Sequence, residues 1–264
     1  MKKSLLDNNV FDVYPLMNLD NHLLDFFFHK GKGKPNISFD GIKGYHIEKQ
    51  IANINQIVFE VTDSCNLKCS YCGYGDIYGN HDQRSESDFP LESAKQFLDY
   101  IISHLKSKKN DSIFKDLFVS FYGGEPLLNF SFIKEIVDYT GSLRISNITF
   151  IYSITTNALL LNRYMDFLVK KKFRILISLD GNKYNNSYRV NHAGENSFDR
   201  VILNIKLLQK TFPEFFDENV RFNAVLHNRN SVSEAYNFIK QEFGKVPKIS
   251  ELNNMGIRED KKEE

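Results

Sequence analysis

Three cysteines lie within eight residues of one another, in the segment Cys65-Asn66-Leu67-Lys68-Cys69-Ser70-Tyr71-Cys72. The chain has three cysteines in all, and an odd number cannot pair off completely in disulfides. Thiols clustered in this way are typical of metal ligands in a reducing compartment. A loop with Cys-x3-Cys-x2-Cys spacing can present three thiolates to one face of a [4Fe–4S] cube, which leaves one iron open to a substrate or cofactor.

Zinc is the main alternative, because the three thiols and His81 would make a Cys3His site. Structural zinc sites usually contain paired Cys-x2-Cys or Cys-x4-Cys knuckles, and no second pair exists in this sequence. A third alternative, three unrelated buried cysteines, requires all of them to cluster by chance. The spacing therefore favours an iron–sulfur cluster and leaves zinc open.

The charged residues are nearly balanced, with 34 Lys plus Arg against 33 Asp plus Glu and a formal net charge of +1. This gives no electrostatic reason to expect nucleic acid or an anionic membrane as a partner. The N-terminal MKKSLL resembles the start of a signal peptide, but Asp7, Asn8 and Asn9 interrupt the apolar run. No uncharged apolar stretch is long enough to span a membrane. We therefore expect a cytoplasmic protein.

Five short runs rich in Val, Ile and Phe alternate with longer amphipathic runs, which predicts five βα units. The predicted strands are residues 57–62, 117–122, 148–154, 174–179 and 220–226. The predicted helices are residues 91–107, 131–141, 162–172, 198–211 and 231–243. This order indicates an α/β fold with a parallel sheet and right-handed crossovers.

The flanks of this region differ from it. Residues 1–50 are expected to form a separate N-terminal segment, with a helix around residues 19–28 and a loop at 31–35. Residues 51–250 are then the core. Residues 245–257, at its end, supply either a sixth strand or only an incomplete start of one. Residues 251–264 are expected to form a charged, flexible tail.

Ligands of parallel sheets bind beyond the carboxyl ends of the strands. The cysteine segment directly follows the first predicted strand, and Gly123-Gly124-Glu125-Pro126 follows the second. Two glycines there let the backbone approach a ligand closely, although a tight turn would need them too. Asn157 follows the third strand, where its side chain either contacts a polar ligand or caps the next helix. Ser178 ends the fourth strand.

The cysteine spacing, with the aromatic Tyr71 just before the last cysteine, resembles the signature of the radical S-adenosylmethionine (SAM) superfamily. The resemblance implies a partial (β/α)6 TIM-like barrel, here with an incomplete last unit. It implies that Cys65, Cys69 and Cys72 bind a [4Fe–4S] cluster whose open iron chelates SAM. In this family an electron from the reduced cluster cleaves SAM to methionine and a 5′-deoxyadenosyl radical, which abstracts hydrogen from the substrate.

The same resemblance implies roles for the other strand ends. Gly-Gly-Glu-Pro in this family meets the amino group of SAM, which assigns Gly123, Gly124 and Glu125 to that contact. Tyr71 would lie by the cluster and adenine, Ser178 near the ribose, and Arg189 against the carboxylate of SAM. We expect that Ala in place of Gly124 obstructs SAM and leaves the cysteine loop unchanged. The family often has Gly after Thr-Thr-Asn, and Ala158 departs from it.

The combined motifs resemble the peptide and protein maturases that carry a C-terminal SPASM extension, including sulfatase maturases. This branch implies a ribosomally made peptide as substrate and an electron donor such as flavodoxin or ferredoxin. No cysteine follows Cys72, so the auxiliary-cluster cysteines of that extension are absent from this sequence. The chain is therefore expected to be part of a split or truncated maturase, to work with a separate SPASM-bearing chain, or to be a non-catalytic partner subunit.

Overall fold

The computed structural model describes residues 42–75, 77–79, 84–113, 116–143, 145, 148–253 and 255–261. The chain divides into two compact units, residues 1–44 and 45–264. The predicted helix around residues 19–28, the loop at 31–35 and His81 lie outside the described residues. The second unit contains the cysteines and all of the strands described below.

Six strands form one parallel sheet in which each strand pairs with the next along the chain. The strands are β1 (Gln56–Thr62), β2 (Asp116–Gly123), β3 (Thr149–Thr156), β4 (Arg174–Ser178), β5 (Val220–Leu226) and β6 (Lys248–Glu251). Together with the intervening helices, the sheet forms an open, partial (β/α)6 barrel. The predicted fold class is confirmed, and residues 248–251 supply the sixth strand.

The helices connect these strands, apart from the first, which precedes β1. They are α1 (Gly44–Ala52), α2 (Leu91–Leu105), α3 (Phe130–Ser142), α4 (Leu161–Lys170), α5 (Phe198–Thr211), α6 (Pro213–Asn219) and α7 (Val232–Phe243). The short helix α6 was not predicted from the sequence. Its Pro213 occupies a first-turn position, where no backbone N–H is needed. Its Phe215 and Phe216 side chains are buried.

The outer face of the sheet carries the hydrophobic core, because side chains alternate between the two faces of a strand. In β1, Ile57, Phe59 and Val61 are buried, while Val58 and Glu60 are exposed on the other face. The ring of Phe59 lies 5.8 Å from that of Phe132 in α3. Covering one face with helices leaves the other face free to line a cleft.

Polar side chains interact on the inner face of the sheet. Ser120 of β2 and Ser153 of β3 are hydrogen-bonded at 2.7 Å. At the other side of the sheet, the Ser250 hydroxyl of β6 donates to Asn223 of β5 at 2.9 Å. The inner face is therefore suited to polar ligands.

The segment after β6 packs on the segment after the cysteines. Tyr78 and Ile257 form an antiparallel bridge. The Gly79 N–H donates to the Gly256 carbonyl at 2.9 Å, and the Arg258 N–H donates to the Ile77 carbonyl at 2.8 Å. Residues 256–258 thus pair with residues 77–79, instead of extending into solvent as the predicted tail would. We call residues 252–253 and 255–258 the C-terminal strap.

Among the helices that the structure describes, none combines the length and the apolar character needed to cross a bilayer.

The N-cap of α7 provides a test of the fold. The Ser231 hydroxyl accepts a hydrogen bond from the Glu234 N–H and donates to the Glu234 carboxylate at 2.7 Å. We expect Ser231→Ala to lower the free energy of unfolding by about 1 kcal/mol, measured by urea denaturation, because a helix N–H loses its partner. Ser103→Ala, on the exposed face of α2, is the control and should be neutral or slightly stabilising. Equal losses in both variants would contradict the capping role.

Candidate functional site

The carboxyl ends of the strands open onto a cleft of about 710 Å³. Nine of the ten residues predicted from the sequence to form the site line this cleft: Cys65, Cys69, Tyr71, Cys72, Gly123, Gly124, Asn157, Ser178 and Arg189. Glu125 does not. Residues that sequence reasoning did not assign to the site also line it, namely Arg84 on one side and Lys248, Ser250, Glu251 and part of the C-terminal strap on the other.

The cysteine loop is held by backbone hydrogen bonds to a distant segment. The Lys68 N–H donates to the Val190 carbonyl at 2.7 Å, and the Ser70 N–H donates to the Tyr188 carbonyl at 3.0 Å. Leu67 is buried and anchors the loop in the interior. The three thiols, which are free of disulfides and partly buried, are thereby presented on one wall of the cleft.

The chemistry of the thiols fits a positively charged centre. Burial raises the pKa of Cys65, and it raises the pKa of Cys69 to about 11. Thiolates at these positions consequently require a nearby cation or metal for stability. In the described part of the chain, no three His, Cys, Asp or Glu side chains are placed to hold a single metal ion. A zinc site would need all three thiolates on one ion, whereas in a cubic cluster each thiolate binds a different iron.

The two glycines that end β2 make room for the cysteine loop. Gly123 has a φ of +125°, and a Cβ there would lie 2.3 Å from the Thr62 carbonyl oxygen. A Cβ on Gly124 would lie 2.1 Å from the Ser64 carbonyl oxygen. The Gly124 N–H donates to the Thr62 carbonyl at 2.8 Å. The expectation that Ala at position 124 would leave the cysteine loop unchanged is therefore wrong, because its methyl group would collide with the backbone just before Cys65.

Glu125 connects the end of β2 to the end of β3. Its carboxylate is fully buried and accepts hydrogen bonds from the Thr156 hydroxyl at 2.7 Å, the Asn157 N–H at 2.8 Å and the Leu127 N–H at 3.1 Å. Burial raises the pKa of Glu125 to about 7, against the opposing effect of these donors. The expected contact of Glu125 with the amino group of SAM stays a prediction.

Asn157 fixes both the cysteine loop and the turn after β3. It does not cap α4, which has no side-chain cap at its N-cap residue Leu160, and its contact with a ligand stays a prediction. Its Nδ2 donates to Asn66 Oδ1 at 2.7 Å and lies 3.8 Å from the Cys65 sulfur. Its Oδ1 accepts from the Leu159 N–H at 3.0 Å and so shapes the following turn. The next residue, Ala158, is buried with a φ of 64°. It thus adopts the left-handed conformation that glycine accommodates at lower cost.

A buried carboxylate, Asp180, joins three loops at the cleft. Its Oδ2 accepts from the Tyr71 hydroxyl and from Arg189 Nε at 2.9 Å. Its Oδ1 accepts from Arg189 Nη2 at 3.0 Å and from the Val225 N–H at 3.0 Å. Burial opposes the ionisation of Asp180, but Arg189 holds the pKa of this carboxyl well below its usual range. Sequence reasoning did not assign Asp180 to the site, since one of its partners, Tyr71, is 109 residues away along the chain.

Arg189 and Ser178 retain groups that a ligand could use. Asp180 occupies the Nε and Nη2 groups of Arg189, whereas Nη1 has no hydrogen-bond partner in the part of the chain that the structure describes. Within that same part, the Ser178 hydroxyl also makes no hydrogen bond. The predicted contacts of both residues with SAM stay predictions, and this geometry leaves room for them.

His227 follows β5 and was missed by sequence reasoning. Its Nδ1 accepts from the Arg229 N–H at 3.1 Å, so we assign the ring proton to Nε2. Nε2 lies 3.6 Å from the Asp180 carboxylate. The imidazole stacks on the Tyr71 ring, with centroids 5.5 Å apart. The available signal was its position just beyond a strand end, which alone does not identify a site residue.

Comparison with known families gives a match over most of the chain. The profile of the Radical SAM superfamily matches residues 59–240, a region that contains the cysteines, the end of β1 and all of β2 to β5.

Two curated relatives illustrate the similarity. A cysteine-type anaerobic sulfatase-maturating enzyme of Clostridium novyi is 26% identical over 193 residues, which cover 72% of this chain and 49% of the relative. The radical SAM cyclopropyl synthase TigE of Paramaledivibacter caminithermalis is 26% identical over 274 residues, which cover 92% of this chain and 54% of the relative. The chain thus spans about half the length of these relatives.

Solved structures share the fold. The structure of native anSMEcpe with bound AdoMet superposes with a TM-score of 0.61 and 21% identity, over 75% of this chain and 52% of that one. The structure of native anSMEcpe with bound AdoMet and Cp18Cys peptide gives a TM-score of 0.59 and 20% identity, over 76% of this chain and 51% of that one.

Gly124→Ala tests the close contact between β2 and the cysteine loop. The added methyl group must displace the Ser64 carbonyl, so we expect a loss of about 1–3 kcal/mol in unfolding free energy and less iron bound after anaerobic reconstitution. The control is Gly73→Ala, also in the cleft wall, where a Cβ would meet nothing within 4 Å. A Gly124→Ala variant with the stability and iron content of Gly73→Ala would contradict this account.

Glu125 predicts a pH dependence of stability. Its pKa is raised in the folded chain, so protonation stabilises the fold, and this contribution is lost as the pH rises from 4.5 to 7. Glu125→Gln does not titrate. The unfolding free energy of the apo wild type, measured relative to apo Glu125→Gln, should therefore fall by about 3 kcal/mol over this range. A constant difference between the two proteins would show that the carboxylate does not titrate there.

Proposed function

We propose that this chain, which belongs to the radical SAM superfamily, is the catalytic core of a radical SAM enzyme that modifies a ribosomally made peptide. The observation that carries the proposal is the convergence of three thiols, two close-packed glycines and unused polar groups on one cleft at the carboxyl ends of the strands. Members of this family use a [4Fe–4S] cluster and SAM.

The cluster would be held by Cys65, Cys69 and Cys72. When bound, the cluster and SAM together supply an electron transfer that cleaves SAM to methionine and a 5′-deoxyadenosyl radical, which removes hydrogen from the substrate. The chain's own contribution begins with the thiols. Burial raises the pKa of Cys65 and Cys69, so their thiolate forms are unfavourable until a metal centre compensates the negative charge. Asn157, bonded to Asn66, fixes the loop next to Cys65.

SAM would lie along the ends of β2 to β5. The backbone of Gly123 and Gly124 can approach its amino group closely. The unused Nη1 group of Arg189 suits a carboxylate, because a guanidinium donates in a planar, two-point geometry. Asp180 keeps Arg189 charged and oriented from the opposite side. The Ser178 hydroxyl is available for the ribose, and Tyr71, in the cleft wall, for the adenine.

A peptide substrate is supported by the proteins to which this chain is similar. The named relatives include a sulfatase-maturating enzyme, and one similar structure contains a bound peptide. The sheet is open, and β6 contributes the polar side chains Lys248, Ser250 and Glu251 to the lining of the cleft, which part of the C-terminal strap also lines. A flavodoxin or ferredoxin would supply the electron, and a separate SPASM-bearing chain would complete the substrate site. Three unpaired thiols are consistent with the reducing cytoplasm.

Anaerobic reconstitution with ferrous iron and sulfide tests the proposal. We expect a brown protein with about four irons per chain that forms 5′-deoxyadenosine from SAM under dithionite. A colourless protein that binds one zinc would contradict the cluster. A brown protein that binds SAM without cleaving it would indicate the non-catalytic partner subunit instead.

The ligand assignment makes a sharper prediction. Because three thiolates already leave one iron of the cube without a protein ligand, Cys69→Ala should reduce the iron content to a small fraction of the wild-type value and abolish 5′-deoxyadenosine formation. The neighbouring Ser70→Ala, whose side chain is exposed, is the control and should retain both. If Cys69→Ala still bound about four irons, the ligand assignment would be incorrect.

A further inference from the structure

The segment that returns from the cysteine loop toward α2 is fastened to the end of β1. The Asp63 carboxylate accepts from the Ser85 N–H at 2.7 Å, the Ser85 hydroxyl at 2.8 Å and the Ser87 N–H at 2.7 Å. The Asp63 N–H and the Thr62 hydroxyl both donate to the Ser87 carbonyl at 3.1 Å. These hydrogen bonds, which we call the clip, hold residues 85–87 against Asp63, and Asp63 lies two positions before Cys65 in the chain.

Arg84 precedes the clip and extends along the cysteine wall of the cleft. Its Nη2 donates to the Cys72 sulfur at 3.1 Å. Its guanidinium also lies over the Tyr74 ring, 5.1 Å from the centroid, and the Tyr74 hydroxyl donates to Glu60 of β1. The guanidinium is therefore held between an aromatic face and a thiol by elements that are themselves anchored to β1.

The charge of Arg84 is directed at the thiols. The other cation of this wall, Arg189, is neutralised by Asp180. In the described ranges of the chain Arg84 forms no salt bridge with a carboxylate, and its guanidinium donates to the Cys72 sulfur instead. A cation with this orientation stabilises negative charge on sulfur.

We propose that Arg84 is a positioning residue of the cluster: its guanidinium donates to the Cys72 sulfur and raises the reduction potential of the bound [4Fe–4S] centre. This inference rests on the proposed function, because it requires the three thiols to hold the cluster. Reduction adds one electron, taken from the donor, and makes the cluster more negative by one charge. A hydrogen-bonded cation beside a ligand sulfur favours the more negative state, since charge and hydrogen bonds at the sulfurs set the potential.

The test compares one-electron midpoint potentials of clusters reconstituted from ferrous iron and sulfide, followed by electron paramagnetic resonance during dithionite titration. Arg84→Gln removes the charge, and Arg84→Lys keeps it but loses the planar fork. Arg163→Gln is the matched control, because Arg163 also lies over a tyrosine ring, at 5.7 Å, on α4 and outside the cleft lining. Iron content is measured for every protein.

We expect wild-type iron content in all three variants, a more negative potential in Arg84→Gln, a smaller shift of the same sign in Arg84→Lys, and no shift in Arg163→Gln. A wild-type potential in Arg84→Gln would overturn the inference, since it would mean that the guanidinium leaves the sulfur when the cluster binds. Should Arg84→Gln fail to hold iron, Arg84→Lys decides: restored iron supports the inference, and equal loss contradicts it. Failure of the wild type itself to bind iron would instead refute the proposed function.

Discussion

The cysteine loop depends on hydrogen bonds from outside itself. It has no regular secondary structure, so its backbone groups must find partners elsewhere or lose the free energy of their contacts with water. The end of β2 provides one set of partners, with the Glu125 N–H bonded to the Ser64 carbonyl at 2.8 Å. Residues 188–190 provide another at Lys68 and Ser70. The position of the thiols is thus set by the strands around them. Gly123 and Gly124 lie where the end of β2 comes closest to the backbone that precedes Cys65.

Two buried carboxylates also connect the strand ends, through side-chain hydrogen bonds. Glu125 connects the ends of β2 and β3, and Asp180 connects Tyr71, Arg189 and the end of β5. An ionised group in the interior is stable only while its partners remain, because removing one leaves a charge without compensation. Each carboxylate therefore couples loops that belong to different strands. The shape of the cleft depends on a few such hydrogen bonds and ion pairs, and the loss of any one of them would destabilise it.

The fold was largely predictable because its signals are local. Strand β5 and helix α5 have the bounds expected from hydrophobic periodicity, and the cysteine spacing identified the thiol wall. The missed features depend on contacts between remote positions. Asp180 and Tyr71 are 109 residues apart. Arg84 contacts the Cys72 sulfur next to a segment that is hydrogen-bonded to Asp63. The Glu125 carboxylate is hydrogen-bonded to residues at the end of β3. The pattern of a sequence indicates which residues are buried, but it does not specify which neighbouring strand end a polar side chain will meet.

The open sheet has a mechanical consequence. In the described part of the chain β1 and β6 do not pair with each other, and the segments beyond them are connected by the bridge between Tyr78 and Ile257 and the hydrogen bonds on either side of it. Backbone hydrogen bonds near the surface open locally at a lower free energy than those of the sheet itself, where each strand pair is backed by buried core. The wall of the cleft can accordingly part along a seam while the thiols, fixed on the other side by β1 and β2, keep their places. Amide hydrogens at residues 77–79 and 256–258 are therefore expected to exchange with solvent faster than those of the central strands.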